Sequence, residues 1–277
     1  MGEKVSGRLV IIGGREDKVG DCEILREVSR LAGGREARLM VITTAAEAGA
    51  QTGALYRRLF LDLGAASVET LHIATREEAN RPALLEVLKR PTGVYFTGGD
   101  QLRITSTLGG TVADRALRQL YEAGVVIAGT SAGASAMSST MIVDGAADDT
   151  PSRTAVAMAP GMGLLNEVVI DQHFAQRGRI GRLLSAVAQN PHILGVGIDE
   201  DTAVVVEPGA TFSVIGSGTV TVVDGWELEY SNATESDRNQ PLAMFRILLH
   251  VLAKGYRFDL TTRKPTSGES GPGRPHP

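Results

Sequence analysis

Val125-Val126-Ile127-Ala128-Gly129-Thr130-Ser131-Ala132-Gly133-Ala134 is the stretch on which the fold turns. Its apolar, β-branched start predicts a buried strand, and it runs straight into G-x-S-x-G followed by small residues. The flanking glycines let the chain turn sharply from strand to helix, which would raise Ser131 above a sheet. The amide of Ala132, opening the next helix, would then point where an oxyanion forms. The same string also reads as an ordinary strand–turn–helix with small residues for packing. Ser131 therefore needs partners elsewhere in the chain.

Upstream, β-branched runs at Arg8–Ile12, Arg38–Thr43, Ser67–Ile73 and Gly93–Phe96 predict further strands. Between them, Cys22–Leu31, Thr52–Leu63, Ala83–Lys89 and Val112–Ala123 carry apolar residues at i, i+3, i+4 spacing and predict helices. This alternation implies βαβ units on a doubly wound, mostly parallel α/β sheet with helices on both faces. Downstream, a strand at Val168–Ile170 and a helix at Arg179–Gln189 are followed by strands at Leu194–Ile198, Ala203–Val206, Phe212–Ile215 and Thr219–Val223. Little room remains for helices there, so these read as antiparallel hairpins added to one edge. Leu242–Leu260 is open: Leu248–Leu252 suits a helix, while Tyr256, Phe258 and Leu260 alternate as in a strand. One domain is expected over residues 1–261, with a polar, Pro/Gly-rich disordered tail over 262–277.

Of 277 residues, 33 are glycine, about 12% against a usual ~7%. They carry no collagen period and sit within apolar runs, so they imply tight turns or close backbone approaches. Lys and Arg number 28 against 32 Asp and Glu, a net charge of −4, which argues against a uniformly basic nucleic-acid surface. The single cysteine, Cys22, excludes an internal disulfide and a thiolate cluster. No leader pattern and no ~18-residue apolar run is present, so a cytoplasmic protein without a membrane partner is expected.

A nucleophilic serine needs a base. His276 lies in the tail, His192 follows Asn190-Pro191 in a turn, and His72 and His250 sit in strand-like or apolar surroundings that suit packing. His173 differs, because Asp171-Gln172-His173-Phe174 follows a strand at its C-terminal end, where open α/β sheets place ligands. Arg177, Arg179 and Arg182 come next, and guanidiniums beside a candidate base suit a substrate bearing carboxylates. A carboxylate should orient the imidazole. Asp199-Glu200-Asp201 ends another strand, and Glu200 is the choice, with Asp149 in reserve. Only the order Ser131…Asp149…His173 would match the α/β-hydrolases. Gly98-Gly99 precedes Asp100 and Gln101, so the amide of Gly99 or Asp100 is a second oxyanion donor and Gln101 a substrate contact. No phosphate-loop or paired-histidine spacing occurs, so neither a cofactor nor a metal is expected.

IIGGREDK at Ile11–Lys18, FTGGDQLR at Phe96–Arg103, GTSAGASAM at Gly129–Met137, DQHFAQRGRIGRL at Asp171–Leu183 and GIDEDTA at Gly197–Ala203 together closely resemble the cyanophycinases. Tyr230-Ser231-Asn232-Ala233 fits as well, and the likeness covers residues 8–260. It implies a serine peptidase on a class I glutamine-amidotransferase-like fold, grouped with the aspartyl dipeptidases. The substrate it implies is cyanophycin, multi-L-arginyl-poly-L-aspartate, cleaved from the chain end to β-Asp-Arg. By that resemblance Ser131 is the nucleophile, His173 the base and then the acid, and Glu200 its orienter. Gly99 or Asp100 with Ala132 forms the oxyanion hole, and Gln101, Asp171, Gln172, Arg177, Arg179 and Arg182 grip substrate. A homodimer is implied too. The competing readings are an aspartyl dipeptidase for short Asp-X peptides and a silent binding protein, which a missing triad member would favour, although Ser131, His173 and Glu200 are all present.

Overall fold

Every residue of β1 (Leu9–Ile12) is buried in the computed structural model, which describes residues 7–145, 150–235 and 240–267. The twofold alternation of a strand sends Leu9 and Ile11 into one apolar core and Val10 and Ile12 into another. β2 (Arg38–Ile42), β3 (Ser67–Leu71), β4 (Gly93–Phe96) and β5 (Val126–Thr130) join it in the parallel order β1-β5-β4-β2-β3. α1 (Glu23–Leu31) and α2 (Gly49–Asp62) cover the Val10 face through Ile24, Leu25, Val28, Tyr56 and Phe60. The short α3 (Arg76–Ala79) and α4 (Leu84–Leu88), then α5 (Gln101–Leu108) and α6 (Val112–Glu122), lie on the Leu9 side, burying Leu88, Ile104, Leu108 and Leu117 there. Helices on both faces make the sheet doubly wound, as expected. α5 escaped the sequence pattern because Thr105-Ser106-Thr107 dilutes its apolar face; the Asp100 carboxylate starts it by accepting from Leu102 N at 2.8 Å.

After β5 come α7 (Ala132–Ser135), the hairpin of β6 (Thr140–Asp144) and β7 (Ala157–Pro160), β8 (Val168–Gln172), α8 (Ile180–Gln189) and β9 (Leu194–Ile198). β10 (Thr202–Glu207), β11 (Thr211–Gly216) and β12 (Thr219–Asp224) follow. The expectation that these late strands all extend one sheet edge is corrected. β10 and β11 do add antiparallel to β1. β9 instead pairs parallel with β8 through the α8 crossover, and β12 pairs with β9, giving a second, four-stranded sheet. A parallel pair needs such a crossover, which the α8 helix supplies. This second sheet presents Val168, Ile170, Val196 and Val222 to the main core and is capped by Leu183 and Val187 of α8 on its far side.

The open segment is extended. Beyond the small pair β13 (Tyr230–Ser231) and β14 (Met244–Phe245), β15 (Leu248–Ala253) pairs with β12, and β16 (Arg257–Asp259) with β11. A helix at Leu248–Leu252 is thereby corrected: pairing with β12 satisfies the backbone that a helix would have bonded internally. β17 (Lys264–Thr266) adds to β16, so ordered structure continues past the expected boundary at 262.

Candidate active site

Ser131 caps β5 with φ 54° and ψ −111°, a backbone region that non-glycine residues rarely enter. Its N–H donates to Ile12 O at 3.0 Å, while its own carbonyl accepts from Ala134 and Ser135 to open α7. The hydroxyl is thus lifted off the sheet, and the Gly98 Cα approaches it without a side chain in the way.

His173 immediately follows β8, with φ 50° and its N–H donating to Gly13 O at 2.8 Å. Its Nε2 lies 3.0 Å from Ser131 Oγ, and its Nδ1 lies 2.7 Å from Glu200 Oε1, just past β9. A carboxylate only accepts, so Nδ1 carries the proton and Nε2 offers its lone pair to the serine hydroxyl. Gly14, at φ 100°, faces the imidazole so closely that a Cβ would overlap Cε1 and Nε2. Burial, with Arg177 and Arg179 nearby, holds the His173 pKa below its ordinary value, against the opposing pull of Glu200. Hydroxyl, imidazole and carboxylate therefore stand in the line that serves nucleophilic acyl transfer. Asp149 and His276 fall outside the described residues; His72 bonds Thr43 Oγ1 at 3.0 Å, His192 is exposed, and the His250 ring sits 5.6 Å from that of Phe258.

Of the expected oxyanion donors, Asp100 is corrected: its N–H already donates to Ala45 O at 3.0 Å. The Gly99 N–H has no backbone partner among the described residues, and neither does that of Ala132. Gly99 has φ 143°, and a Cβ there would overlap Ala45 O, so glycine is required at that turn.

The expected substrate contacts divide. Arg177 is exposed beside His173. Gln172 Oε1 lies 3.4 Å from Ser131 Oγ, and Gln101 Nε2 donates to Ile142 O at 2.9 Å, tying α5 to β6. Asp171, Arg179 and Arg182 turn inward, which corrects their reading as free arms. Asp171 is 1% exposed, and its carboxylate accepts from Arg182 through Nε at 2.7 Å and through Nη2, and from Arg179 Nη1 at 3.4 Å. Both oxygens of Asp171 are engaged and buried, so the carboxylate presents no open face to a substrate guanidinium. Arg179 also donates to Gln172 O at 2.5 Å, yet its Nε is buried with no hydrogen-bond partner among the described residues. Burial depresses the Arg179 pKa to about 10 despite Asp171.

The three acids of Asp199-Glu200-Asp201 serve three different ends. Asp199 accepts from Ala175 N at 3.0 Å and from Thr219 N and Oγ1 at 3.0 and 2.9 Å, fixing the turn after His173. Asp201 accepts from Asp17 N and Ser217 Oγ, both at 2.8 Å. Arg15, Glu16 and Gln176 were not singled out from sequence. Arg15 Nε lies 3.4 Å from Glu200 Oε1, and Gln176 Oε1 accepts from Glu200 N at 2.9 Å. Glu16 is buried beneath the serine and binds the Thr130 hydroxyl at 2.6 Å. Burial pushes its carboxyl up, but Lys18 and the hydroxyls of Thr130 and Tyr56 outweigh that and hold it low. Arg15 and Glu16 lie in the IIGGREDK stretch that helps carry the resemblance, but nothing in a one-dimensional pattern shows which side chains that loop turns inward.

A serine, histidine and carboxylate in one hydrogen-bonded line above an α/β sheet define the serine hydrolases as a class. Peptidase family S51 matches residues 9–214, and the chain belongs to that family of serine peptidases. It is similar to the cyanophycinase of Trichormus variabilis, with 43% identity over 256 residues, 92% of this chain and 86% of the relative. A cyanophycinase from Geminocystis herdmanii is 38% identical over 269 residues, 97% of this chain and 99% of the relative. The crystal structure of a peptidase from an acI-B1 Actinobacterium shares the fold, with a TM-score of 0.68 at 21% identity, covering 94% of this chain and 98% of that one. A putative peptidase E from Listeria monocytogenes does so at a TM-score of 0.53 and 17% identity, covering 76% and 99%.

Proposed function

We propose that this chain is a cyanophycinase, a serine exopeptidase that releases β-Asp-Arg from multi-L-arginyl-poly-L-aspartate. The continuous line Ser131 Oγ–His173–Glu200 carries the reading of the chemistry, and identities of 38–43% to cyanophycinases over most of the chain support the substrate. Ser131 Oγ attacks the backbone carbonyl while His173 Nε2 takes the hydroxyl proton, and the N–H groups of Ala132 and Gly99 receive the oxyanion. His173 then returns the proton to the departing amine. Water, deprotonated by the same nitrogen, cleaves the acyl-enzyme, and Glu200 stabilises the imidazolium in both halves.

Arg177 at the rim is the group we assign to substrate carboxylates. Asp171 holds Arg179 and Arg182 rather than substrate, and Gln101 and Gln172 line the approach to Ser131. We assign the third triad position to Glu200, not Asp149, on the 2.7 Å contact with His173. We also propose a cytoplasmic homodimer. No described helix is long and apolar enough to cross a membrane, and exposed Leu248, Leu249 and Val251 on edge strand β15 suit contact with a second copy. Size-exclusion chromatography with light scattering should return twice the 29.2 kDa chain mass.

Incubation with purified cyanophycin tests the activity: β-Asp-Arg should accumulate, and Ser131→Ala should abolish it. Release of free arginine alone, or cleavage only of short Asp-X peptides, would replace the reading with another.

A further inference from the structure

We propose that Glu16 is a positioning residue, which holds the Ser131 elbow in register with the His173–Glu200 pair by binding the hydroxyl of Thr130. This rests on the reading of Ser131 as the nucleophile. The problem Glu16 addresses is geometric. Ser131 ends a strand of the nine-stranded sheet, whereas His173 and Glu200 end strands of the four-stranded sheet, and no strand pairing joins the two among the described residues.

The chain from Ile12 to Asp17 spans that gap. Ile12 O accepts from Ser131 N at 3.0 Å, Gly13 O from His173 N at 2.8 Å and Gly14 O from Asp201 N at 2.9 Å. Asp17 N donates to Asp201 at 2.8 Å. The loop thus touches the backbone at or beside all three triad residues, and Glu16 is its buried side chain, only 2% exposed.

The two carboxylate oxygens of Glu16 are divided between separate tasks. Oε1 takes the scaffold: the hydroxyl of Tyr56, that of Tyr95 at 3.0 Å and Lys18 Nζ at 2.9 Å. Oε2 takes Thr130 Oγ1 at 2.6 Å. Thr130 is the residue before Ser131, whose φ of 54° is unfavourable unless its neighbours hold it. A buried carboxylate is costly and seldom the most stabilising filling for a core. Its presence is accounted for here by a rigid, charge-assisted pin next to the strained residue.

Because Oε1 and Oε2 have different partners, the positioning role separates from general stability. The variants are Thr130→Val, which keeps shape and removes one hydroxyl; Thr130→Ser, which restores it; and Tyr95→Phe, which removes a donor from the scaffold side. Thermal unfolding and kcat and KM on cyanophycin are measured for each, well below the melting temperature. Thr130→Val should lower kcat by about 10- to 100-fold with KM unchanged, the scale on which small misplacements of reacting groups act. Thr130→Ser should recover most of it, and Tyr95→Phe should lower Tm while leaving kcat near the parental value. Parental kcat in Thr130→Val would overturn the proposal. So would an equal kcat loss in Tyr95→Phe, or loss of folding in Thr130→Val alone, since the bond would then serve the domain. Ser131→Ala, run alongside, isolates the underlying reading: if that variant still hydrolyses cyanophycin, it is the nucleophile assignment that fails.

Discussion

Glu200 Oε1 lies 2.7 Å from Nδ1 of His173, which leaves the opposite ring nitrogen to face Ser131 at 3.0 Å. Replacing this acceptor with an amide removes the group that fixes the tautomer. Glu200→Gln should therefore fold normally and lose kcat by about 10⁴-fold, as for the orienting acid of other triads. Asp149→Asn should stay near the parental kcat. A large loss in Asp149→Asn alone, measured on cyanophycin, would move the third member to that loop.

Ser131→Ala should keep the parental Tm within a few degrees and lower kcat by about 10⁶-fold, the scale of removing a triad nucleophile. Labelling by a fluorophosphonate reagent should disappear with it. Persisting label at another serine would contradict the assignment.

The pH dependence follows from the imidazole. His173 acts as a base only when neutral, and burial beside Arg177 and Arg179 lowers its pKa below the ordinary 6.5. Neutral imidazole thus persists to lower pH, and the acid limb of kcat/KM should have its midpoint below 6.5. Arg177→Gln removes a neighbouring cation, so it should move that midpoint upward. A downward shift, read from a kcat/KM profile, would exclude Arg177 as a cause.

Asp171→Asn leaves Arg179 and Arg182 buried without their anion, although each is under 10% exposed. Breaking one side of such a cluster costs about 3–5 kcal/mol. At roughly 2–4 °C per kcal/mol for a chain of this size, Tm should fall by roughly 6–20 °C. Differential scanning calorimetry measures it directly, and an unchanged Tm would mean that water replaces the carboxylate.

Gly14→Ala tests the close face of the imidazole. Its φ of 100° disfavours a side chain, and a Cβ would overlap the His173 ring. The ring must then shift, so kcat should fall, whereas alanine at Gly64, with a similar φ of 93° but open space around it, should lower Tm and leave kcat unchanged. Parental turnover in Gly14→Ala would show that the ring is free to give way.

Much of the architecture was legible because it is local. The alternation of β-branched runs and amphipathic stretches before Ser131 encodes burial residue by residue, and the parallel strands sit within a few residues of their expected bounds. After β8 the pattern under-determined the outcome. β9 and β12 look like any antiparallel strands, and nothing local distinguishes an added edge from a second sheet built by the α8 crossover. At the site, Ser131, His173 and Glu200 were nameable because each ends a strand. Arg179 and Arg182 were misjudged as free arms because charge normally means solvent, and only Asp171 makes their burial tolerable.

The sequence by itself determined the class of fold, the serine at a glycine-flanked turn, the histidine beside it in function and the presence of an acid near residue 200. Tertiary structure decided what Asp199 and Asp201 hold instead of His173, which cations turn inward, and which carboxylate stands beneath the serine. The physical reason is that periodicity records whether a side chain is buried, not what it is buried against. Thr130 and Glu16 are 114 positions apart, and Glu200 and His173 are 27 apart. Each of those bonds needs the ends of two strands that pair within one sheet. The Ser131–His173 bond, across 42 positions, exists only once the two sheets have met across one loop, which the glycines at 13 and 14 let pass close enough.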